Sequence, residues 1–322
     1  MAYLERYVKL AKEVNFSSAA EADFRGVNYA LRCDMSLNEH LAEDEIVSAP
    51  VDQVSRGVRQ REITGTLEHQ FINPAMFRFS LGHVYSSYVT ASQCYYKFSI
   101  IANTPSFSLE KGLQTPIEVA RYIGTKINLH RLTLDRGEDV TQELTLVSKN
   151  LVYGTGGYSA IGSDITVPVF TYYEGQLKEG ANVIAGVQRA VVETNRNLTA
   201  RWSSDYSQAV PRTPREFREG RCGVTGRIML DEATSKFIQA VLANTPMTLI
   251  LTLYKNDWNR CVITINNVLI PEAPDSITGR EPYELEFPFN AAGSATGLDA
   301  IIVEWWYQAL PADQLDGASF KY

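Results

Sequence analysis

The sequence predicts a mainly β chain built as two tandem, related domains. Three observations predict it. β-branched and aromatic residues crowd into short alternating runs, local patterns recur about 161 residues apart, and the most Gly-dense stretch lies between the copies. The length of 322 residues corresponds to about two domains at roughly 150 residues each. An apolar fraction of 45% and a charged fraction of 21% exclude wholesale disorder.

The alternation is explicit. In Arg121–His130, Ile123, Ile127 and Leu129 fall on one side and Tyr122, Lys126 and Asn128 on the other. Glu143–Val147, Met247–Leu253 and Cys261–Asn266 repeat the rhythm, and in Tyr283–Phe289 the residues Leu285, Phe287 and Phe289 point inward against Glu284 and Glu286. Period two over such short segments marks half-buried antiparallel strands. Two stretches depart from it. Asn73 can cap and Pro74 can open a short helix carrying Met76, Phe77, Ser80 and Leu81 on one face. Asp231 can cap a second, with Phe237, Ile238, Val241 and Leu242 as its apolar stripe.

The helices sit in matching surroundings. Ile63-Thr64-Gly65 aligns with Val224-Thr225-Gly226, and the same shift carries Met76, Phe77 and Leu81 onto Phe237, Ile238 and Leu242. Upstream, Leu31–Leu41 echoes Gln188–Leu198 at a shift of about 157 residues. The Gly-dense stretch Tyr153–Gly162 places the joint, giving domains 1–154 and 155–322. Each copy has a long, charge-mixed connection before its Thr-Gly strand, read here as a loop of about 20 residues of the kind that makes contacts. The first, 42–61, carries Glu43, Asp44, Glu45, Arg56, Arg59 and Arg61; the second, 199–221, carries Arg212, Arg215, Arg218 and Arg221.

Signatures of chemistry are missing from the sequence. Gly154-Thr-Gly156-Gly157-Tyr-Ser159 lacks the third glycine and following helix of a dinucleotide loop and reads as linker. His40, His69, His83 and His130 stand apart from one another, and a His130–Asp135 pair on a strand would point to opposite faces. Cys33, Cys94, Cys222 and Cys261 form no CxxC pair and read as reduced, packed thiols. Glu43-Asp44-Glu45 lacks the spacing of a calcium loop. Of Trp305 and Trp306, one is expected buried and one exposed. No cofactor, metal or catalytic residue is expected, and an enzyme is disfavoured. A net charge of −7, from 30 Lys and Arg against 37 Asp and Glu, disfavours a nucleic-acid reader. No apolar run approaches the roughly 18 residues of a membrane span, and Met1–Tyr7 offers no secretory h-region. The expectation is a soluble chain made in the cytoplasm.

Arg6–Val14, Phe107–Gly112, Ala120–Asn128 with Glu143–Val147, and Pro214–Gly226 resemble segments of the tail tube proteins of long-tailed phages, in a two-domain duplicated form. The extended segment Tyr153–Gly186 departs from that pattern. The resemblance implies two tail-tube-like β-sandwich or half-barrel domains, each with one short helix. Their inner strands would join across subunits into a β-barrel. It implies a structural virion protein of the tail, assembled in the host cytoplasm, whose stacked trimeric rings conduct double-stranded DNA without binding it specifically. The partners implied are further copies of the chain and the tape measure, tail terminator and tail-tip proteins, with no membrane. The mixed-charge arms are the expected ring-to-ring contacts. Two other readings stand beside it: an inner tube or tail-tip ring of a contractile injection system, and a carbohydrate-binding β-sandwich suggested by the 17 tyrosines.

Overall fold

A computed structural model describes residues 6–13, 16, 25–26, 30–45, 54–72, 74–90, 93–113, 118–154, 169–202, 213–231, 243, 245–257, 259–271, 285–293 and 299–308. The chain is mainly β, antiparallel throughout its named pairings, and the sheet does not close into a barrel among the described residues. The first half runs β1 (Arg6–Lys12), β2 (Arg25–Gly26), β3 (Ala30–Glu45), β4 (Val54–Gln70), α1 (Phe77–Ser80), β5 (His83–Thr90), β6 (Gln93–Ser99), β7 (Phe107–Leu113), β8 (Glu118–Asp135), β9 (Thr141–Ser148) and β10 (Asn150–Gly154). The second runs β11 (Gly175–Glu179), β12 (Asn182–Val183), β13 (Val187–Asn195), β14 (Thr199–Arg201), β15 (Glu216–Arg218), β16 (Gly223–Leu230), β17 (Met247–Asn256), β18 (Asn259–Leu269), β19 (Leu285–Ala291) and β20 (Ile301–Gln308).

The halves follow one plan, down to register. Met35 faces Gly65 across β3 and β4, and Val192 faces Gly226 across β13 and β16, the partners that the two sequence shifts require. Both ladders carry a bulge at the same place, Ala30/Arg32 and Val187/Arg189. β7 pairs with β8, and β17 with β18, each with a bulge at its start, Phe107/Leu109 and Met247/Leu249. The residues held left-handed opposite those bulges also match, Gly124 at φ +68° and Asn267 at φ +50°. Glycine and asparagine are the residues that tolerate this region. β1 on β7 corresponds to β11 on β17, and β4 on β9 to β16 on β19. The β5–β6 hairpin has no counterpart among the described residues of the second half. It pairs with β20 and so ties the halves together. Residues 155–168, where the domain joint is expected, lie outside the described residues.

Most predicted strands alternate as read: Leu144 and Leu146 are buried in β9, Leu249, Leu251 and Leu253 in β17, Cys261 and Ile263 in β18, and Phe287 and Phe289 in β19. The β8 reading is corrected. Tyr122 and Lys126 are buried rather than outward, because bulges at Phe107/Leu109 and Ile127/Leu129 change the phase of a strand that serves two ladders. The first helix is corrected too. It spans only Phe77–Ser80, begins at Met76 without a side-chain cap, and is entered through Pro74 and Ala75 carbonyls in a tight turn. It is buried on every face, Arg78 and Phe79 included, so Met76, Phe77 and Leu81 belong to a core rather than to one amphipathic stripe. Position 73 and the second helix, with Phe237, Ile238, Val241 and Leu242, lie outside the described residues. The core is one continuous cluster drawn from both halves, from Leu67 and Phe79 to Ile228 and Val303.

Candidate functional site

Sheet pairing places eight strands side by side in the order β3, β4, β9, β8, β13, β16, β19, β18. Each half supplies four. The halves meet where β8 runs against β13, from Asp135 opposite Arg189 to Leu129 opposite Asn195. The alternation that buries Leu67, Leu144, Leu132, Val192, Ile228 and Phe287 turns their neighbours outward. The result is one largely polar face across β3, β4, β9, β8, β13, β16 and β19, interrupted by Leu129, Val191 and Met229, with Leu269 of β18 at its end.

Register sets its charge pattern. Arg32, Glu68, Glu143, Arg131, Glu193, Thr225 and Asn290 form a single row across seven strands. Arg131 joins the halves: Nη1 is 2.7 Å from Glu143 Oε2, and Nε is 2.6 Å from Glu193 Oε1. Burial alone would lower the Arg131 pKa, but its hydrogen bond to Glu193 and the charges of Glu193 and Glu143 outweigh it, so the net shift is upward. Arg189 Nε lies 3.3 Å from Asp135 and Arg227 Nη1 3.1 Å from Glu286, while Arg32 pairs with Asp34. With Glu62, the described positions of this face hold seven carboxylates against four guanidinium groups, a net charge of −3. Each cation is an arginine held against a carboxylate.

The described parts of the two charged connections include paired strand rather than loop alone. β3 and β4 stay paired past the last β9 contact at Ile63, out to Glu45 opposite Val54, a two-stranded ribbon projecting roughly 30 Å. Along it Glu43 is opposite Arg56 and Asp44 opposite Ser55, Arg61 faces Glu39, and Arg59 falls at the His40/Leu41 bulge. Long stretches of mixed charge are therefore compatible with strand when opposite signs fall across from each other. The second connection repeats the device. β14 pairs with β15, Thr199 opposite Arg218 and Arg201 opposite Glu216, at the register of Ala42 and Gly57 in the first. Arg215, Arg218 and Arg221 are exposed there, while Arg212 lies outside the described residues.

Sequence reasoning missed the residue that anchors this second arm. Glu219, 3% exposed, takes Lys126 Nζ at 2.7 Å and the Thr104 amide and hydroxyl at 2.7 and 2.8 Å on Oε1. Arg196 Nη2 lies 3.5 Å from its Oε2 and also donates to the Leu81 and Ile101 carbonyls at 2.9 Å. This buried cluster ties the second half to the end of α1 across more than 90 positions of sequence, a separation no local pattern reports.

A serine–histidine–amide group also escaped the sequence. The Ser80 hydroxyl is 2.8 Å from His130 Nδ1, and Nε2 is 2.8 Å from Gln142 Oε1. The amide oxygen accepts from Nε2–H, so Nδ1 accepts the serine proton. All three are sealed in the core under the Phe77 ring, 4.2 Å from the imidazole, and no substrate reaches them. Burial pushes the His130 imidazole down to about 3 and that of His69 to about 4. Asp135 lies on the opposite face from His130, as strand geometry requires.

The four cysteines are free, and burial raises the Cys33 thiol to about 11. Trp305 is buried, and one face of Trp306 is covered by the Arg260 guanidinium at 4.0 Å. Among the described residues no His, Cys, Asp and Glu cluster could hold a metal ion. Among them, no helix is long and apolar enough to cross a membrane. Comparison with models of known protein families finds no match, and comparison with curated proteins finds none.

Proposed function

We propose that this chain is a structural subunit of a hollow tube of the tail-tube kind, in which copies join so that the eight-stranded sheet becomes a segment of the inner wall around duplex DNA. The observation that carries the reading is the single, largely polar face running through both halves, with net charge −3 and its arginines held against carboxylates. A conduit must not hold its cargo. Phosphate binding draws on concentrated, available cations, and this face offers none that is not held against a carboxylate.

Dimensions agree. Three copies give about 24 strands; at ~4.8 Å spacing and ~40° tilt these make a backbone ring of roughly 48 Å and a bore of roughly 38 Å. Duplex DNA, about 20 Å wide, passes through it. Closure would also cover the edge of β3 that is unpaired among the described residues, the kind of edge that β-rich proteins protect. The two ribbons, too slight to be stable alone, are suited to contacts between stacked rings.

The wall assignment is tested by reversing charge on it. Glu68→Lys with Glu286→Lys moves the face from −3 to about +1 per copy, since each reversal adds two charges. Assemblies of the unaltered chain are expected to release duplex DNA at moderate salt, and the double variant to retain it with strong salt dependence in a filter-binding assay. Polymers of the variant that gain no DNA affinity would show that this face does not line the bore.

A further inference from the structure

The chain leaves the wall for its second arm through a neck built unlike that of the first. In the first half the ladder of β3 and β4 runs through this place, from Asn38 opposite Glu62 to Ala42 opposite Gly57, with one bulge by which residues 39–41 face residues 58–61. In the second half the ladder stops at Asn195 opposite Gly223 and resumes at Thr199 opposite Arg218. Residues 196–198 then face residues 219–222, so the same one-residue excess is kept but no ladder runs through it. At the two repeat shifts, Arg196 and Glu219 stand where the first half has Glu39 and Val58.

A buried charge cluster replaces the missing pairing. Glu219 Oε1 accepts from Lys126 Nζ of β8 and from the Thr104 amide and hydroxyl. Arg196, 2% exposed, reaches from Glu219 Oε2 to the Leu81 and Ile101 carbonyls. Two cations thus converge on one carboxylate that is shut away from solvent, where removing a partner is costly. The backbone is tied at the same level. The Arg196 amide donates to the Asn128 carbonyl at 2.8 Å, the Leu198 amide to Asn128 Oδ1 at 2.8 Å, and the Gly220 amide to the Arg196 carbonyl at 3.0 Å. Asn197 Nδ2 donates to the Arg221 carbonyl at 2.8 Å from a left-handed residue at φ +50°. Beyond the neck, Phe217 of β15 meets the Phe16 ring edge to face at 5.9 Å.

We infer that Glu219 is the positioning residue of the second arm: it clamps both strands of the neck to β8 and to the connection after β6, and so holds β14 and β15 in one orientation. The first arm is steered by backbone pairing, the second by a single buried carboxylate. In a subunit that docks through its arms, an arm held in advance gives up less conformational freedom on contact.

Hydrogen exchange on the dilute, full-length monomer tests this. Glu219→Gln keeps the shape of the side chain and removes its charge. Amides of residues 196–201 and 215–220 are expected to exchange at least tenfold faster in the variant, while those of β9 and β17 keep their rates. Glu219→Gln combined with Lys126→Met removes the carboxylate together with one cation, so the cluster keeps its net charge, and is expected to release the same segments; this variant decides the matter if the single one does not fold. Acceleration in the double variant that spreads equally to β9 and β17 would make Glu219 a general stabiliser, and an unchanged neck would make it a bystander. Either result overturns the inference and leaves the tube reading standing, whereas a chain that never polymerises overturns the tube reading alone.

Discussion

Gly226→Ala is expected to destabilise the monomer by about 3 kcal/mol, and Gly65→Ala by about 1 kcal/mol, although the two glycines are equivalent in the repeat. A Cβ at Gly226 would sit 2.2 Å from the Val191 carbonyl oxygen and 2.4 Å from the Phe289 ring. A Cβ at Gly65 would sit 2.2 Å from the Asp34 carbonyl oxygen and 2.8 Å from Met35 Cα. In each case the obstruction is backbone, which no rotamer change relieves. The difference lies in what holds that backbone. Val191 belongs to β13, fixed between β16 and β8, so the clash must be absorbed as strain. Asp34 belongs to β3, whose far side carries no strand among the described residues, so β3 can retreat. Urea denaturation of the dilute monomer measures both, and equal losses would contradict the account of β3 as a free edge. In the polymer, where that edge would be covered, the Gly65 variant should become the more costly of the two relative to its own monomer.

Acidification is expected to destabilise the fold well before most carboxylates protonate. His69 and His130 are buried as neutral rings, with folded pKa values held down at about 4 and about 3 by burial. Unfolded histidine titrates near 6.5. As pH falls through 6.5 the unfolded chain gains protons that the folded chain refuses, so stability is full above that value and is lost as pH falls toward the folded values. Between pH 8 and pH 5 the two rings together should remove about 4 kcal/mol from the unfolding free energy, on the order of 2 kcal/mol each. The Gln142 bond to His130 pulls its pKa upward, but burial, helped by the neighbouring His69, outweighs it and keeps the ring neutral. Urea midpoints measured across that range provide the check, with His69→Gln expected to flatten the slope by about half. A midpoint independent of pH from 8 to 5 would contradict the burial of these rings.

What was legible in the sequence was whatever rests on local periodicity or on repetition. β9, β17 and β19 bury the side chains their alternation indicates, and the Thr-Gly tripeptides mark the two places where a strand crosses a neighbouring carbonyl too closely for any side chain. The repeat shifts, read from low-identity blocks, return as strand registers with matching bulges. What was not legible depends on contacts distant in sequence or on geometry that breaks a period. The connections 42–61 and 199–221 read as loops because their charges suppress hydrophobic alternation. Strand pairing there is read from backbone register, which places residues of opposite charge such as Glu43 and Arg56 across from each other without any hydrophobic period. Tyr122 was placed outward because a bulge is invisible to a strict period of two. The buried faces of α1 exceed the one stripe its sequence suggests because this single turn packs Phe77 on His130 of β8 and Phe79 on Phe107 of β7, with no solvent side to pattern. Glu219 and Arg196 look like ordinary arm charges, and only their convergence on Lys126 and Thr104 distinguishes them.

The central claim is that copies of this chain close with their eight-stranded sheets facing inward. Cryo-electron microscopy of the concentrated protein with rotational averaging examines it most directly. The account predicts rings of three copies with apparent six-fold texture and a bore of roughly 38 Å, lined by the face that carries Glu68, Arg131 and Glu286. Isolated globules at every concentration, or rings in which that face looks out to solvent, would contradict it.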